Sequence, residues 1–267
     1  MRITGQTRIM FILADAVGHI VGSDVLNQAF EREGLDVAVS PLSIAPEDLE
    51  MAVQTIRRLK NVIGFGVTIP HKTEIARYLD DVTPEAQAMG AVNFVRRFPD
   101  GRLLGHNVDG AGFVAGLRAE GIEAKGKRIL QAGAGGVGKA IAHAVAAEGC
   151  ASITLVNRDL QKAARLGGEL SNRFPGVRVN ALAGFDGLQA DQFDMIVNAT
   201  ALGMKEGDPL PVPERLIVPE AVVAEVVMQP PMTKLLETAA TKGCKTIPGK
   251  AMMEPQPALV AEFLELL

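Results

Sequence analysis

The sequence predicts an α/β fold in two domains, each built on a mostly parallel sheet. Short apolar runs alternate with longer helical segments along the whole chain, and the alternation begins a second time after residues 107–125. A glycine-rich turn, "GAGGVG" at 133–138, lies between an apolar run and an Ala-rich one in the second series. We therefore place one domain over 1–108 and the other over 109–249.

The first half of the chain carries predicted strands at 8–13, 36–40 and 62–69 and predicted helices at 23–33 and 46–59. Two further runs, "AVNFVRR" and "RLLGHNV", are joined by "FPDG" and predict a hairpin. A helix is predicted at 109–121, where Gly121 provides a stop signal.

The second half repeats the rhythm from residue 128 to the end. Strands are predicted at 128–133, 152–158, 177–182, 194–200, 221–227 and 244–249. Helices are predicted at 136–149, 160–174 and 233–243, with a closing helix at 258–267. Strands separated by helices favour parallel pairing, because each crossover returns the chain to the same end of the sheet.

Composition restricts the class of protein. The hydrophobic fraction of 48% and the charged fraction of 22% are typical of a soluble globular protein. A net charge of −4, no tryptophan and a single tyrosine, Tyr78, argue against nucleic-acid binding, and no long uncharged apolar run predicts a membrane span. Cys150 and Cys244 lack metal-ligand spacing and fit a reducing, cytoplasmic setting, so we expect no metal site.

The glycine-rich turn predicts a dinucleotide site. Gly133, Gly135 and Gly138 have the G-x-G-x-x-G spacing, after a strand and at the start of a helix. The first glycine permits the tight turn, the second lets a pyrophosphate approach the backbone, and the third packs the helix on the sheet. The helix N-terminus favours the negative charge. The predicted contact residues are Gly133, Ala134, Gly135, Gly136, Val137 and Gly138.

The residues that distinguish NAD from NADP are expected about 20 residues after the glycine-rich turn. "NRDLQK" places Arg158 and Lys162, which could meet a 2′-phosphate, around Asp159, which repels one and can accept from a ribose hydroxyl. The carboxylate inclines the prediction toward NAD, and NADP stays open. All three side chains could instead be solvated at a helix start.

Four further segments carry polar residues in apolar surroundings: "GVTIPHK" (66–72), "GAVNF" (90–94), "GHNVDGAGF" (105–113) and "PGKAMMEPQ" (248–256). With the glycine turn, "NRD" at 157–159 and "NATALGM" at 198–204, they resemble the shikimate/quinate dehydrogenase family along nearly the whole chain. The corresponding family patterns are VT-x-P-x-K, AVN, G-x-N-T-D, G-x-x-ML-x-x-Q, GAGGAG, NRT and NATxxGM. Lys72 is predicted to begin a helix after a strand, and Asp109 to begin one after the hairpin. Taken alone, each is more often a surface charge or a helix cap.

The resemblance implies a reversible hydride transfer between a ring hydroxyl carbon of a cyclic polyol and a nicotinamide cofactor, in shikimate or quinate metabolism or aromatic amino acid biosynthesis. It implies an active site in a cleft between the substrate domain and the Rossmann-type domain, a C-terminal segment 250–267 that returns to the first domain, and a monomer or homodimer. Lys72 and Asp109 would be the acid/base pair, and Thr68, Asn93 and Gln256 would hold hydroxyls. The implied cofactor contacts beyond the glycine turn are Asn157, Arg158, Asp159, Lys162, Asn198, Ala199, Thr200, Gly249 and Met253.

The sequence departs from the family where a substrate carboxylate is usually held. Two serines and a tyrosine are replaced by Ile20, Gly22 and Met228, and the asparagine before Val-Thr is Gly66. A hydrogen bond to a charged group contributes about 1.5–3 kcal/mol, so losing three would cost roughly 4 kcal/mol or more, about a thousandfold in affinity. We therefore expect a smaller, less charged cyclic polyol or hydroxyketone.

Two alternatives remain open. Ser23 or His19 could replace the missing donors and leave shikimate as the substrate. The chain could also be a non-catalytic dinucleotide or metabolite sensor on the same fold, although a sensor has no need of both Lys72 and Asp109.

Overall fold

The computed structural model describes residues 2–18 and 20–267, so His19 lies outside the described residues. The chain divides into two compact units. Unit 1 holds the residues up to Val108 together with Gln256–Leu267, and unit 2 holds Asp109–Pro255. No helix among the described residues is both long enough and apolar enough to cross a membrane.

Unit 1 contains a six-stranded sheet and four α-helices among its described residues. The strands are β1 (Arg8–Ala14), β2 (Val37–Ser43), β3 (Val62–Val67), β4 (Asp81–Val82), β5 (Phe94–Arg97) and β6 (Leu103–His106). The helices are α1 (Gly22–Arg32), α2 (Leu49–Arg58), α3 (Pro84–Met89) and, at the C-terminus, α9 (Gln256–Phe263). The strand order is β2-β1-β3-β5-β6-β4, with β5 antiparallel to both of its neighbours. The predicted hairpin is therefore present as β5–β6.

Both faces of this sheet are covered. Leu49, Val53 and Ile56 of α2 belong to one buried cluster, with Phe65 of β3. A second cluster joins α1 and α9 to Met10 and Ile12 of β1; its helical members are Leu26, Phe30, Val260 and Ala261, and Leu264 just after α9 also belongs to it. Burial of each apolar side chain of this size contributes about 1.5–3 kcal/mol, so α9 is a structural part of unit 1.

Unit 2 is a six-stranded parallel sheet in the order β12-β11-β10-β7-β8-β9. Its strands are β7 (Arg128–Ala132), β8 (Ser152–Val156), β9 (Arg178–Leu182), β10 (Met195–Asn198), β11 (Val222–Glu225) and β12 (Lys245–Ile247). Its helices are α4 (Asp109–Ala119), α5 (Gly136–Ala147), α6 (Leu160–Arg173), α7 (Lys234–Thr241) and α8 (Lys250–Met253). This is the doubly wound Rossmann order, in which the strand sequence reverses direction beside β7 and opens a crevice at the carboxyl ends of the strands.

The C-terminal return to unit 1 begins at Gln256 and not at residue 250 as the sequence suggested. The reason is the packing of α8 against α4. A Cβ on Gly116 would overlap the carbonyl group of Ala251, so the two backbones touch. Phe113 and Met252 also share one buried cluster, which keeps 250–255 in unit 2.

The segment after β3 also differs from the expected helix. Residues 69–74 form turns, and only Ile75–Tyr78 forms a short 3-10 helix. The carbonyl of Lys72 accepts a hydrogen bond from Val92 N at 2.8 Å instead of joining a helical ladder. The short elements β4 and α3 had not been predicted, although Thr83 caps α3 and Gly90 ends it in the left-handed region with φ 64°.

Candidate active site

In unit 1, the ends of β1 and β3 and the start of β5 position three of the predicted site residues. Thr68 N donates to the Leu13 carbonyl at 3.0 Å, and Val67 N donates to the Asn93 carbonyl at 2.8 Å. With the Lys72–Val92 hydrogen bond, these contacts bring the backbone of Thr68, Lys72 and Asn93 to one edge of the sheet. Lys72 and Thr68 are half-buried, and Asn93 is buried.

The side chain of Asn93 is held in place by the chain that follows the hairpin. Its Oδ1 accepts a hydrogen bond from Val108 N at 3.0 Å. Asn107, also buried, donates from Nδ2 to the Ala91 carbonyl at 3.1 Å. The two asparagines therefore link residues 91–93 to residues 107–108 and limit the rotation of the Asn93 amide.

His71 anchors the turn that carries Lys72. The imidazole is buried, and its Nε2 lies 2.9 Å from the carbonyl oxygen of Ile44, which can only accept. Nε2 is therefore protonated and donates. His71 N also donates to the Thr68 carbonyl at 2.9 Å, so the residue before Lys72 is fixed at both backbone and side chain.

Gln256 is the first residue of α9 and is 7% exposed. Its Nε2 is buried and has no hydrogen-bond partner among the described residues. An unpaired buried donor is destabilising, by about 1–3 kcal/mol, unless a ligand or water accepts from it. A substrate hydroxyl would be such an acceptor.

Residues of three neighbouring strands in unit 1 form an apolar row across the sheet. Ile12 of β1 is the register partner of Gly66 in β3, and Gly66 is the partner of Phe94 in β5. A Cβ on Gly66 would lie 3.3 Å from the Phe94 ring and 3.4 Å from Ile12 Cγ1, so these side chains close over the glycine. Half-buried Ile20 packs against the same cluster.

Gly22 adjoins this row from the start of α1. A Cβ there would lie 3.5 Å from Ile12 Cδ1, an ordinary van der Waals contact, and no other atom would be within 4 Å. Its backbone does not adopt a positive φ. Neither conformation nor space therefore requires glycine at this position.

In unit 2, Asp109 begins α4 and is buried. The next residue, Gly110, is pressed against α5: a Cβ there would lie 2.5 Å from the Ala140 carbonyl oxygen. Close packing of α4 on α5 thus fixes the helix start that carries the carboxylate.

The glycine turn forms a cradle for a pyrophosphate. Gly133 has φ 103°, and a Cβ on it would lie 2.6 Å from the Ala199 carbonyl oxygen. A Cβ on Gly138 would lie 2.5 Å from the Gly133 carbonyl oxygen, whereas Gly135 and Gly136 face open space. Closed packing behind the turn and open space at the N-terminus of α5 fit the phosphates of a dinucleotide.

An open pocket beside the turn is lined by Gly135 and four of the predicted cofactor residues: Asn157, Arg158, Asp159 and Lys162. Ala134 N donates to Asn157 Oδ1 at 3.2 Å, and Asn157 Nδ2 donates to the Asp159 carbonyl at 2.9 Å. Asp159 caps α6 by accepting from Gln161 N and Lys162 N. The expected ribose-binding carboxylate is therefore also a helix cap.

The loop after β10 closes the other side of the turn. Asn198 Oδ1 accepts from Thr200 N at 3.0 Å and from Thr200 Oγ1 at 2.7 Å, and Ala199 N donates to the Ala132 carbonyl at 2.8 Å. Behind it, Thr233 Oγ1 donates to Glu225, whose carboxylate also lies 3.5 Å from Asn198 Nδ2. Burial raises the pKa of Glu225, and the hydrogen bonds from Thr233 and Asn198 act in the opposite direction.

The remaining predicted residues lie at the ends of β11 and β12. Gly249 packs directly on Val227, whose carbonyl a Cβ on Gly249 would overlap. The adjoining Met228 is 39% exposed, and Met253 at the end of α8 is half-buried. Met228 thus presents a thioether in a position with room for a larger side chain.

Sequence reasoning missed several residues of these two sites. Gln131 and Glu225 were counted as parts of apolar strands, although a polar residue inside such a run was a visible signal. Ile12 and Phe94 were not recognised because only strand register brings them to Gly66.

Comparison with known proteins agrees with this geometry. Residues 12–95 match the family model "Shikimate dehydrogenase substrate binding domain", and residues 117–203 match "Shikimate / quinate 5-dehydrogenase". The shikimate dehydrogenase (NADP(+)) of Rubrobacter xylanophilus is 37% identical over 253 residues, which cover 94% of this chain and 88% of the relative.

Two solved structures are similar over nearly their whole length. Shikimate 5-dehydrogenase from Listeria monocytogenes, in complex with shikimate and NAD, has a TM-score of 0.92 at 32% identity, covering 100% of this chain and 94% of that one. The ligand-free 5-ketofructose reductase of Gluconobacter sp. strain CHM43 has a TM-score of 0.89 at 30% identity, covering 98% and 94%. The chain therefore belongs to the shikimate/quinate dehydrogenase family.

Proposed function

We propose that this protein is an NAD(P)-dependent oxidoreductase whose preferred substrate is a neutral cyclic polyol or hydroxyketone rather than shikimate. Family membership makes it an enzyme that acts on a CH–OH group. The observation that carries the finer proposal is the apolar row of Ile12, Gly66 and Phe94, flanked by Ile20 and Gly22. An ionised carboxylate has no donors among these side chains, and placing it there would be strongly unfavourable.

The backbone does not require the loss of hydrogen-bond donors at every one of these positions. Serine would fit at position 22 without a clash, yet the chain has glycine there. At position 66, by contrast, a Cβ would already be in tight contact with Phe94 at 3.3 Å and with Ile12 at 3.4 Å. The absence of asparagine at position 66 is therefore accompanied by close apolar packing from Phe94 and Ile12. This combination supports a different ligand rather than an isolated substitution without functional effect.

A structural relative acts on a substrate of this kind. 5-Ketofructose is a neutral polyhydroxy ketone, and the reductase for it is as similar in fold as several shikimate dehydrogenases are. We take this relative as support for the substrate class only.

In the proposed reaction, the substrate hydroxyl loses its proton while the carbon loses hydride, and a carbonyl forms. The nicotinamide, when bound, accepts the hydride. Lys72 takes the proton or stabilises the charge that develops on oxygen, and Asp109 completes the acid/base pair. Thr68, Asn93 and Gln256 hold the other hydroxyls, and the buried Nε2 of Gln256 gains its missing acceptor.

The test is oxidation of a panel of cyclic polyols, and reduction of neutral hydroxyketones including 5-ketofructose, followed by nicotinamide absorbance. We expect a higher kcat/KM for a neutral compound than for shikimate, and similar values for shikimate and its carboxamide. A strong preference for shikimate itself would show that other groups, such as Ser23, hold the carboxylate. Cofactor binding without turnover of any compound would favour the sensor.

A variant that restores the missing donors sharpens the test. We expect Ile20→Ser, Gly22→Ser and Met228→Tyr together to raise kcat/KM for shikimate by at least tenfold, since each donor to a carboxylate contributes about 1.5–3 kcal/mol. Val25→Ser with Met232→Tyr introduces the same side chains at other partly exposed positions and serves as the control. No gain on shikimate would count against the assignment of these three positions to carboxylate binding.

A further inference from the structure

Gln131 is a fully buried amide in β7, the central strand that leads into the glycine turn. Its Nε2 donates to two carbonyl oxygens of the turn, those of Gly133 and Gly138, each at 2.8 Å. Both partners can only accept, so the orientation of the amide group is determined. The side chain thus joins the first and third glycines of the turn from the side of the sheet.

The opposite end of the same amide has no protein partner. Gln131 Oε1 is buried and has no hydrogen-bond donor among the described residues. A buried acceptor without a donor is destabilising, and such groups in native structures call for an explanation. An apolar side chain would suit this position better, since its register partners on the two neighbouring strands, Leu155 and Val197, are fully buried and apolar.

We propose that Gln131 is a positioning residue for the dinucleotide site, which holds the glycine turn in its binding conformation at the expense of fold stability. The two carbonyls that it binds belong to the first and third glycines, so the amide ties both ends of the turn to β7, while Gly135 and Gly136 at the start of α5 face open space. A turn fixed in advance loses less conformational entropy when the phosphates bind. This inference rests on nicotinamide dinucleotide binding at the turn and not on the identity of the polyol.

The turn has little room for a change in the position of its backbone. A Cβ on Gly138 would lie 2.5 Å from the Gly133 carbonyl oxygen and 3.2 Å from Gln131 Nε2. The first and third glycines are therefore in direct backbone contact, and the amide bridges them at their closest approach. Loss of the bridge leaves the Gly133 carbonyl to find another donor, which a small rearrangement of the turn would provide.

The test separates binding from stability. Gln131→Leu and Gln131→Met remove both donated hydrogen bonds at similar side-chain volume. We expect the Kd for NADPH or NADH, whichever binds more tightly, to rise roughly tenfold by isothermal titration calorimetry, the effect of about one net hydrogen bond. The Tm without cofactor should stay the same or rise, because the unpaired oxygen is gone. A purely structural glutamine would lower the Tm instead.

Thr154→Val is the matched control. Thr154 is a buried polar residue of the neighbouring strand β8, and the substitution also removes one polar group at constant volume. We expect its Kd for the cofactor to equal that of the parent. A parent-like Kd in both Gln131 variants, or a Tm lowered in proportion to the lost affinity, would overturn the inference. If the parent protein binds neither cofactor, the proposed function itself fails, which is a different outcome.

Discussion

Lys72 shows how a single reactive side chain is positioned by residues that have no chemistry of their own. Its carbonyl is bound by Val92 N, and the preceding His71 is held by Ile44. Neither contact involves the ammonium group, so the backbone position of Lys72 is fixed independently of its reactive end. The turn that carries Lys72 is thus fixed to two other segments, by a main-chain hydrogen bond from Val92 and by the side-chain hydrogen bond of His71 to Ile44.

We expect Lys72→Met to lower kcat by about 10²- to 10⁴-fold, the usual contribution of a general acid or base. The Kd for the cofactor should not change, because the predicted cofactor residues lie in unit 2. Steady-state kinetics and calorimetry together check this, with Lys60→Met at an exposed position of the same unit as control. A kcat within threefold of the parent would remove Lys72 from the mechanism.

Glu225, in contrast to the half-buried Lys72, has a buried carboxyl group, and burial disfavours its charged form. Burial raises the pKa of this carboxyl above the unfolded value, so the folded state binds more protons than the unfolded state once the pH passes about 4.5. Its contribution to stability is therefore present at low pH and is lost as the pH rises through the raised pKa. The hydrogen bond from Thr233 offsets part of this loss.

We expect Glu225→Gln to become more stable relative to the parent as the pH rises from 5 to 8, as measured by the difference in their free energies of unfolding. Denaturant unfolding at several pH values measures this difference. Glu237→Gln, at an exposed position of α7, controls for the substitution of any glutamate. A difference that stayed constant over this range would mean that Glu225 titrates alike in both states.

At the scale of elements, the N-terminus of α6 carries the three residues predicted to distinguish NAD from NADP. Arg158 and Lys162 are exposed and form no ion pair among residues 2–18 and 20–267 that the structure describes, whereas Asp159 is engaged as the cap. The cations are thus free to meet a phosphate, and the carboxylate is partly satisfied by the helix. This arrangement leaves both NAD and NADP possible and makes the balance testable.

We expect Asp159→Asn to tighten NADPH binding relative to NADH, because asparagine caps a helix equally well and carries no charge. Arg158→Ala with Lys162→Ala should weaken NADPH more than NADH, by roughly tenfold if both cations meet the phosphate. Calorimetric Kd values for both cofactors provide the measurement, and Arg165→Ala, one turn further along α6, is the control. Equal changes for the two cofactors would contradict a role in this choice.

The sheet of unit 1 shows a second effect at the scale of elements. Ile12, Gly66 and Phe94 are far apart in sequence, but the pairing of β1, β3 and β5 sets them side by side. An aromatic ring over a cross-strand glycine replaces the packing that the glycine lacks. This apolar row therefore depends on register, and no local motif contains it.

For the whole molecule, the split of the chain follows from where apolar faces are buried. The last helix completes the cluster of α1 and β1, so the N-terminal unit needs the C-terminal residues. The six residues before it, 250–255, remain with unit 2 because α8 and α4 touch through Gly116. Adjacent segments thus belong to different units for reasons of packing alone.

Much of this could be predicted from the sequence, and the reasons are local. Apolar periodicity located most strands and helices, the glycine spacing located the turn at 133–138, and the motifs located Lys72, Asp109 and Gln256. The departure at Ile20, Gly22 and Met228 was also visible, because it is a matter of residue identity. Short elements such as β4 and α3 escaped because a two- or six-residue segment carries almost no periodic signal.

Other features were decided only by the tertiary structure. The turn at Lys72 replaced a helix because Val92 binds its carbonyl, and the closure over Gly66 and the two hydrogen bonds of Gln131 arise between residues that sequence distance or strand pairing separates. The sequence by itself determined the fold class and the family and predicted the candidate reactive side chains, since these depend on patterns along the chain. The shape of the substrate wall and the support beneath the cofactor turn came from the fold, because hydrogen bonds and packing act across space and not along the sequence.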